Sequence, residues 1–415
     1  MALAEGRAFA VNILFTNNTL GRAAGTELAI RDLCREMRRR GHEVAAYSTQ
    51  WGDIARVLGE EGIPIVDDPG QVPWKPDIIH GHHEWETTLA ALRWPECPVL
   101  SFCRGIESWH EAPCLAPNVV QWVAIDEPCR ERLIQREGVP ADRVRLILNG
   151  IDFERFRPRG PLPARPGTAL LFSNYATSER LLPEVVTACQ AENLQCEAIG
   201  SGVHRVVERP EEMLGRFDLV FAKGKAALEA VVSGCAVIVC DIKGLGPLVT
   251  AENFMELRRE SFGFPCMTSP LTSEAIRARI AEWDPESSMI AQSLARETCG
   301  IGAMFDAMEA IYREMAAVPV RAELSDWARF ASTFFASLGS NAKLGRELRD
   351  LHRQSSQADL PTGAFELSKE HSRVRDAFRK GQSARAELKT LQKRSGRGTA
   401  PGTAKLRRGF MGLFS

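Results

Sequence analysis

FDLVFAKGKAALEAVVSGCAVIVCD, residues 217–241, reads as a buried strand, a short basic loop, an alanine-rich helix, a glycine stop and a second buried strand. Loops at the carboxyl ends of parallel strands are where α/β proteins bind ligands. Lys223, Gly224 and Lys225 stand at such a loop, beside the unused N–H groups of a helix start, and that combination suits a phosphate. Glu229 follows Lys225 by four residues and shares its helix face. Phosphate donors with a carboxylate behind them suit a nucleotide whose ribose hydroxyls need an acceptor. The plainer reading is a solvated Lys–Glu pair worth a few tenths of a kcal/mol. This segment alone does not choose between the two.

Outward from it, the same alternation recurs on both sides. AVNILFTN reads as a strand, Thr26–Arg40 as a helix with Ile30, Leu33, Cys34 and Met37 on one face, and EVAAYS as the returning strand. Strands follow at 63–66, 77–80, 98–102, 122–125 and 144–148, with helices at 84–93 and 128–137 between them. Residues 157–167, RPRGPLPARPG, hold four prolines and two glycines, which no helix or central strand tolerates. The alternation then restarts with strands at 169–173, 196–200, 218–222 and 236–240, a helix near 179–192, and helices at 272–283, 286–297 and 303–317. This predicts an α/β fold of two doubly wound units: a first domain over 1–156, a hinge linker over 157–167 and a second domain over 168–320. A cleft is expected between the carboxyl ends of the two sheets. Residues 321–415 form a helical and basic extension, expected to be partly disordered, with the aromatic-rich 325–338 packed on the body.

The 415 residues are 44% hydrophobic and 25% charged, the balance of a globular protein. The net charge of −1 hides an asymmetry: residues 371–415 carry twelve Lys or Arg against Asp376 and Glu387, so the rest of the chain sums to −11. Only that tail favours an anionic partner, and nothing argues for nucleic acid. Its end, LRRGFMGLFS, pairs arginines with Phe410, Met411, Leu413 and Phe414, a composition for peripheral contact with a membrane face, although its brevity favours a disordered terminus. Eleven cysteines without a C-x-x-C pair point to a reducing compartment. No run reaches the length of a membrane span, and the amino-terminal apolar run is too short for a signal peptide, so a cytoplasmic body is expected.

Three further segments carry chemistry. TLGRAAGT (19–26) follows the first strand, and its Gly25 permits close approach of a phosphate or sugar, or simply a tight turn. His80-Gly81-His82-His83-Glu84 lacks the partner cluster of a metal site and reads as a polar strand end lining a cleft, with His82 or His83 available for hydrogen bonds. Arg104 ends the next strand and reads either as a holder of an anionic group at the cleft or as a plain surface residue. No D-x-D pair occurs, which disfavours a metal-bridged nucleotide diphosphate.

Taken together, GTE (25–27) leading into a helix that ends RRRGHEV, PDIIHGHH, VPADRVRLILNGIDFERFRP, AIGSG and LEAVVSGCAVIV resemble the retaining glycosyltransferases of family 4. The resemblance covers roughly residues 10–315 and implies the GT-B fold, two Rossmann-like domains facing a cleft. It implies that Glu229 binds the donor ribose, that Gly200 and Gly202 approach the nucleotide, and that Gly25 faces the donor phosphate or sugar. No cofactor is implied: the co-substrate is a nucleotide-diphosphate sugar of UDP or GDP type. The acceptor is a hydroxyl on a glycan, a lipid-linked sugar or a small molecule, with surface-glycan or glycolipid synthesis the implied setting. Arg104 and His82 are the catalytic candidates.

The sequence departs from that family in three places. Phe221 stands where the family has a second glutamate, the basic pair of LLFSNYATSERLL is reduced to Asn174 and Arg180, and Arg104 replaces a histidine. Lys223 and Lys225 are therefore expected to supply the diphosphate contacts. The same departures fit a second reading, a catalytically impaired nucleotide-sugar scaffold or sensor. A third is an epimerase of the same fold.

Overall fold

The computed structural model describes residues 9–21, 25–106 and 111–336. Residues up to Phe330 form one compact unit, and a second unit begins at Ala331, of which 331–336 are described and helical. The basic tail and its expected membrane contact lie outside the described residues.

The first sheet has seven parallel strands: β1 (Asn12–Thr16), β2 (Glu43–Tyr47), β3 (Ile65–Val66), β4 (Ile78–His82), β5 (Val99–Cys103), β6 (Val119–Ala124) and β7 (Val144–Leu146). Their order is β3-β2-β1-β4-β5-β6-β7. β4 and β5 are buried at every position, because helices cover both faces of a parallel sheet. Helix α1 (Gly25–Arg39) turns Ile30, Leu33, Cys34 and Met37 inward at helical spacing, and Gly41 at φ +92° ends it in the left-handed region. Helices α2 (Asp53–Glu60), α3 (Glu84–Arg93) and α4 (Glu127–Glu131) complete the layers. The helix expected over 128–137 is split, with α4 passing into a π turn over Arg132–Arg136.

The second sheet holds β8 (Thr168–Phe172), β9 (Gln195–Ile199), β10 (Leu219–Ala222), β11 (Ala236–Asp241) and β12 (Gly244–Leu248), in the order β12-β11-β10-β8-β9. Only β12, which no sequence pattern announced, runs antiparallel. Helices α5 (Leu182–Ala191) and α8 (Ser273–Ala281) cover one face, and α6 (Gly224–Val232), α7 (Phe254–Arg259) and α9 (Pro285–Thr298) cover the other. The helices that follow β8 and β10 thus leave on opposite sides, which makes the gap between these neighbours the switch point where a ligand crevice opens.

The proline-rich hinge has no helix or strand. Arg159 ties it to the second domain through an ion pair with Asp218 at 2.8 Å. The chain crosses back at a paired contact in which Ile151 N–H donates to Cys299 O and Ile301 N–H donates to Ile151 O. Gly150 permits this crossing, since a Cβ there would lie 2.7 Å from Ile301 Cα. The expected boundary at residue 320 needs correction here. Helix α10 (Ile301–Ala316) buries Phe305, Met308, Ile311, Tyr312 and Met315 in the first domain's core, not the second's. Trp327 and Phe330 pack against the same core, as expected for their segment.

Candidate functional site

The β10–α6 turn is short. Phe221 and Ala222 are still in β10, Lys223 is the N-cap, and Gly224 takes φ +62° to turn the chain into the helix. Gly224 N–H donates to Phe262 O, which leaves the next N–H groups of the first turn outside the helix's own hydrogen bonding. Phe221 lies in mid-strand, fully buried and paired with Leu171 and Ile238. The place the resemblance gives to a second acid is thus inside the sheet.

Lys225 and Glu229 face one way, with Nζ 3.8 Å from Oε1. Glu229 is 9% exposed, and burial pushes its carboxyl up to about 7 against the opposing pull of Lys225 and Arg155. Arg155, from the hinge side, also bonds Glu211 at 3.2 Å. The two lysines part company here. The Lys223 ammonium pairs with Asp241, which is fully buried at the end of β11, and lies 3.9 Å from the Phe264 ring centroid and 4.7 Å from that of Tyr175. A cation so engaged has little left for a phosphate. Lys225 is the half-exposed one.

A crevice is lined from the first domain by Ile125, Leu148 and Asn149, and from the second by Gly224, Lys225, Arg258 and Phe262 among others. The carboxyl ends of β6, β7 and β10 therefore meet across it. Its volume is about 10 Å3, room for about one water. The Arg258 side chain makes no hydrogen bond or ion pair among the described residues, and its Nε is buried without a partner. Sequence reasoning missed it, since FMELRR carries no motif and only the tertiary fold brings it to the turn. Arg104 follows β5 and donates to Asn149 Oδ1 at 3.3 Å, so it joins the same group. Burial lowers its pKa, while Cys129, Glu111 and Asp126 act the other way. Across the same junction Arg259 pairs with Glu127.

The other expected residues are placed differently. His82 is 1% exposed, with Nε2 3.0 Å from His80 Nε2 and its ring against Phe102. It is a core residue, and the expectation of a catalytic His82 is corrected accordingly: all of β4 is buried, the His82 Nδ1 is enclosed without a partner, and His80 beside it meets Tyr312, Nδ1 to hydroxyl 2.5 Å. Among the described residues no three His, Cys, Asp or Glu gather as metal ligands. Gly200, at φ +131°, and Gly202 are required by packing: a Cβ on either would lie 2.1 Å from the carbonyl oxygen of Ser173 or Ala176. Gly25, at the start of α1, has open space where a Cβ would be.

Two Rossmann-like sheets that meet at their carboxyl ends, with α10 returning to the first, define the GT-B class of fold. Residues 70–155 match the family model Glycosyltransferase Family 4. Against curated proteins the sequence finds no match. Solved structures share the fold: a glycosyltransferase from Rickettsia africae ESF-5 is 15% identical with a TM-score of 0.54, covering 74% of this chain and 99% of that one. Anabaena HepE, described in complex with UDP and glucose, is 14% identical with a TM-score of 0.52 over 74% of this chain and 100% of its own. The lipopolysaccharide outer core galactosyltransferase WaaB in apo form is 11% identical, TM-score 0.53, over 73% and 100%. No helix among the described residues is long and apolar enough to cross a membrane.

Proposed function

We propose that the chain is a glycosyltransferase that moves a hexosyl group from a nucleotide-diphosphate sugar to a hydroxyl acceptor with its anomeric configuration kept. The observation that carries this reading is the β10–α6 turn, with Gly224 and Lys225 lining a crevice between the domains beside the unpaired Arg258 side chain, and Glu229 buried behind them 3.8 Å from Lys225. In this reading Glu229 accepts hydrogen bonds from the ribose hydroxyls. The diphosphate lies at the N-terminus of α6, where backbone N–H groups, Lys225 and Arg258 balance the charge that develops as the sugar leaves. Arg104, held by Asn149, faces the same charge from the first domain. Neutralisation by fixed cations would make the reaction independent of a divalent metal. The crevice is too narrow for a nucleotide, so the donor enters as the domains part at the Ile151–Ile301 crossing.

UDP-sugars come first among donors because HepE, which shares the fold, is described with UDP and glucose; GDP-sugars come next. Synthesis of a surface glycan or glycolipid is the setting this donor chemistry fits. The test is calorimetric titration with UDP, GDP, ADP and CMP, followed by donor turnover with and without a chelator. Binding of one nucleoside diphosphate that is weakened about tenfold or more in Lys225→Ala and Glu229→Gln supports the reading. Absence of nucleotide binding overturns it. A second reading, a binding scaffold without turnover, draws on Phe221 within β10, which leaves the turn without a second acid. Tight nucleotide binding with neither hydrolysis nor transfer decides for it.

A further inference from the structure

The second sheet carries a pair of thiols at the start of β9, the end of the strand opposite to the crevice. Helix α5 ends at Ala191, and the chain reverses at Asn193, which takes φ +57°. Leu194 N–H donates to Cys189 O at 2.8 Å, so the start of β9 is laid back over the last turn of α5. β9 is an edge strand, paired with β8 alone. Its side chains alternate between faces. Glu197 pairs with Arg205 at 2.8 Å, while Cys196 and Ala198 pack against the apolar cluster that contains Cys189.

Cys189 is fully buried and Cys196 is half-buried. The Cys189 thiol donates a hydrogen bond to the Cys196 sulfur, which lowers the pKa of Cys196 and raises that of Cys189. The more exposed thiol is therefore the one drawn toward its thiolate, the form that reacts. Two other places mark the contrast. Cys103 and Cys129 also share a hydrogen bond, but neither is more than 1% exposed. Cys266 is half-buried like Cys196, yet burial pushes its thiol up to about 11. An accessible thiol of lowered pKa with a second thiol beside it is the arrangement of a reversible oxidation site.

We infer that Cys196 is a site of reversible oxidation by hydroperoxides, with Cys189 the resolving thiol that closes a disulfide onto it. The Cys196 thiolate attacks the terminal oxygen of the peroxide. An S–O bond forms, the O–O bond breaks, and the other oxygen takes up a proton and leaves as water or an alcohol. The Cys189 sulfur gives up its proton and attacks the sulfenic sulfur of Cys196; an S–S bond forms, the S–O bond breaks, and the second oxygen leaves as water. In sum the two thiols lose two protons and two electrons, and the peroxide gains them. Exchange with an external thiol reverses the step. In a reducing compartment such a bond is transient, which suits a sensor and not a structural staple. The inference is independent of the transferase reading.

Hydrogen peroxide added to the reduced, native full chain tests this, with the remaining thiols then blocked by N-ethylmaleimide and the peptides mapped by mass. The expected result is a Cys189–Cys196 disulfide that forms before any other linkage and is removed by dithiothreitol. In Cys189→Ser, dimedone should trap a sulfenic acid at Cys196; in Cys196→Ser, Cys189 should stay reduced. In the reduced wild type, iodoacetamide should label Cys196 about tenfold faster than Cys266 at neutral pH, a readout that needs no variant to fold. Cys266 labelled as fast as Cys196 overturns the inference. So does a first disulfide elsewhere in the chain, or oxidation of Cys189 in the variant that lacks Cys196.

Discussion

Lys225 Nζ lies 3.8 Å from Glu229 Oε1, one helical turn apart, and this contact holds a buried carboxyl near the midpoint of its titration at neutral pH. Burial raises the group to about 7 from 4.5. An acid raised on folding stabilises the protein fully below its unfolded pKa, and the contribution is lost as pH climbs through 7. The window is therefore pH 4.5–7, and the shift corresponds to about 3 kcal/mol. Glu229→Gln should abolish that loss, so its melting temperature relative to wild type should rise between pH 5 and pH 8. Ligand affinity runs the other way: the ionised carboxylate is the better acceptor, so nucleotide binding should strengthen as pH rises from 6 to 8 in wild type and stay flat in Glu229→Gln.

The two lysines of the turn should separate by assay. Lys223 neutralises a fully buried aspartate, and removing one member of such a pair leaves a charge stranded, at a cost of about 3 kcal/mol. Lys223→Ala should lower the unfolding midpoint in urea; Lys223→Ala with Asp241→Asn should recover most of it. Lys225→Ala should leave the midpoint nearly unchanged and weaken nucleotide binding, with a smaller salt dependence because an exposed cation has been removed. Equal loss of binding in both single variants at unchanged stability would contradict the division of labour.

Arg258 should behave as the second anion contact. Arg258→Ala removes an unpaired guanidinium and strands no carboxylate, so stability should hold while nucleoside diphosphate affinity falls about tenfold. Nucleoside affinity should change little, because the lost contact is to phosphate. Titration with UDP and uridine side by side measures the difference.

What could be read from the chain beforehand follows a physical line. Lys225 and Glu229 were legible because four residues on a helix fix their neighbourhood, and both sheets were legible because parallel strands buried on two faces read as continuous apolar runs. Lys223, just past β10, and Asp241, the last residue of β11, lie 18 positions apart, and only the pairing of those two strands joins them. The apolar stripe of α10 reads alike whichever core it covers, so its return to the first domain had no sequence signature. Arg258 sits in an ordinary helix end. The burial of His82 comes with ring contacts to His80 and to Phe102 on the neighbouring strand, which the sequence does not announce.

The glycines give a test in which fold and function separate. Gly200→Ala and Gly202→Ala would press a Cβ to 2.1 Å from a carbonyl oxygen, with Gly200 also at φ +131°, so each should cost roughly 2–4 kcal/mol and lower soluble yield. Gly25→Ala meets open space and a helix start, so thermal stability should be unchanged or slightly higher. If a phosphate or sugar approaches the α1 start, Gly25→Ala should nonetheless reduce donor turnover. Stability and turnover both unaffected would remove Gly25 from the site.

The His80–Tyr312 contact joins β4 to α10 beside a pair of buried histidines. Burial pulls His80 down to about 3 and His82 well below 6.5, so the unfolded chain takes up protons that the folded one refuses. The stability they contribute is present above pH 6.5 and is lost as pH falls toward 3, at about 1.4 kcal/mol per pH unit for each ring. Glu229, Asp126 and Glu260, carboxyls raised by burial, act in the opposite sense, while His42, lowered by burial, acts with the two rings; the large displacement of His80 and His82 leaves acidification destabilising. Melting temperature should therefore fall between pH 6.5 and pH 4.5. Tyr312→Phe strands the buried His80 Nδ1 and should cost about 1–3 kcal/mol at pH 7. A Tyr312→Phe protein as stable as wild type would show that apolar packing of α10, not this hydrogen bond, holds the helix on the first sheet.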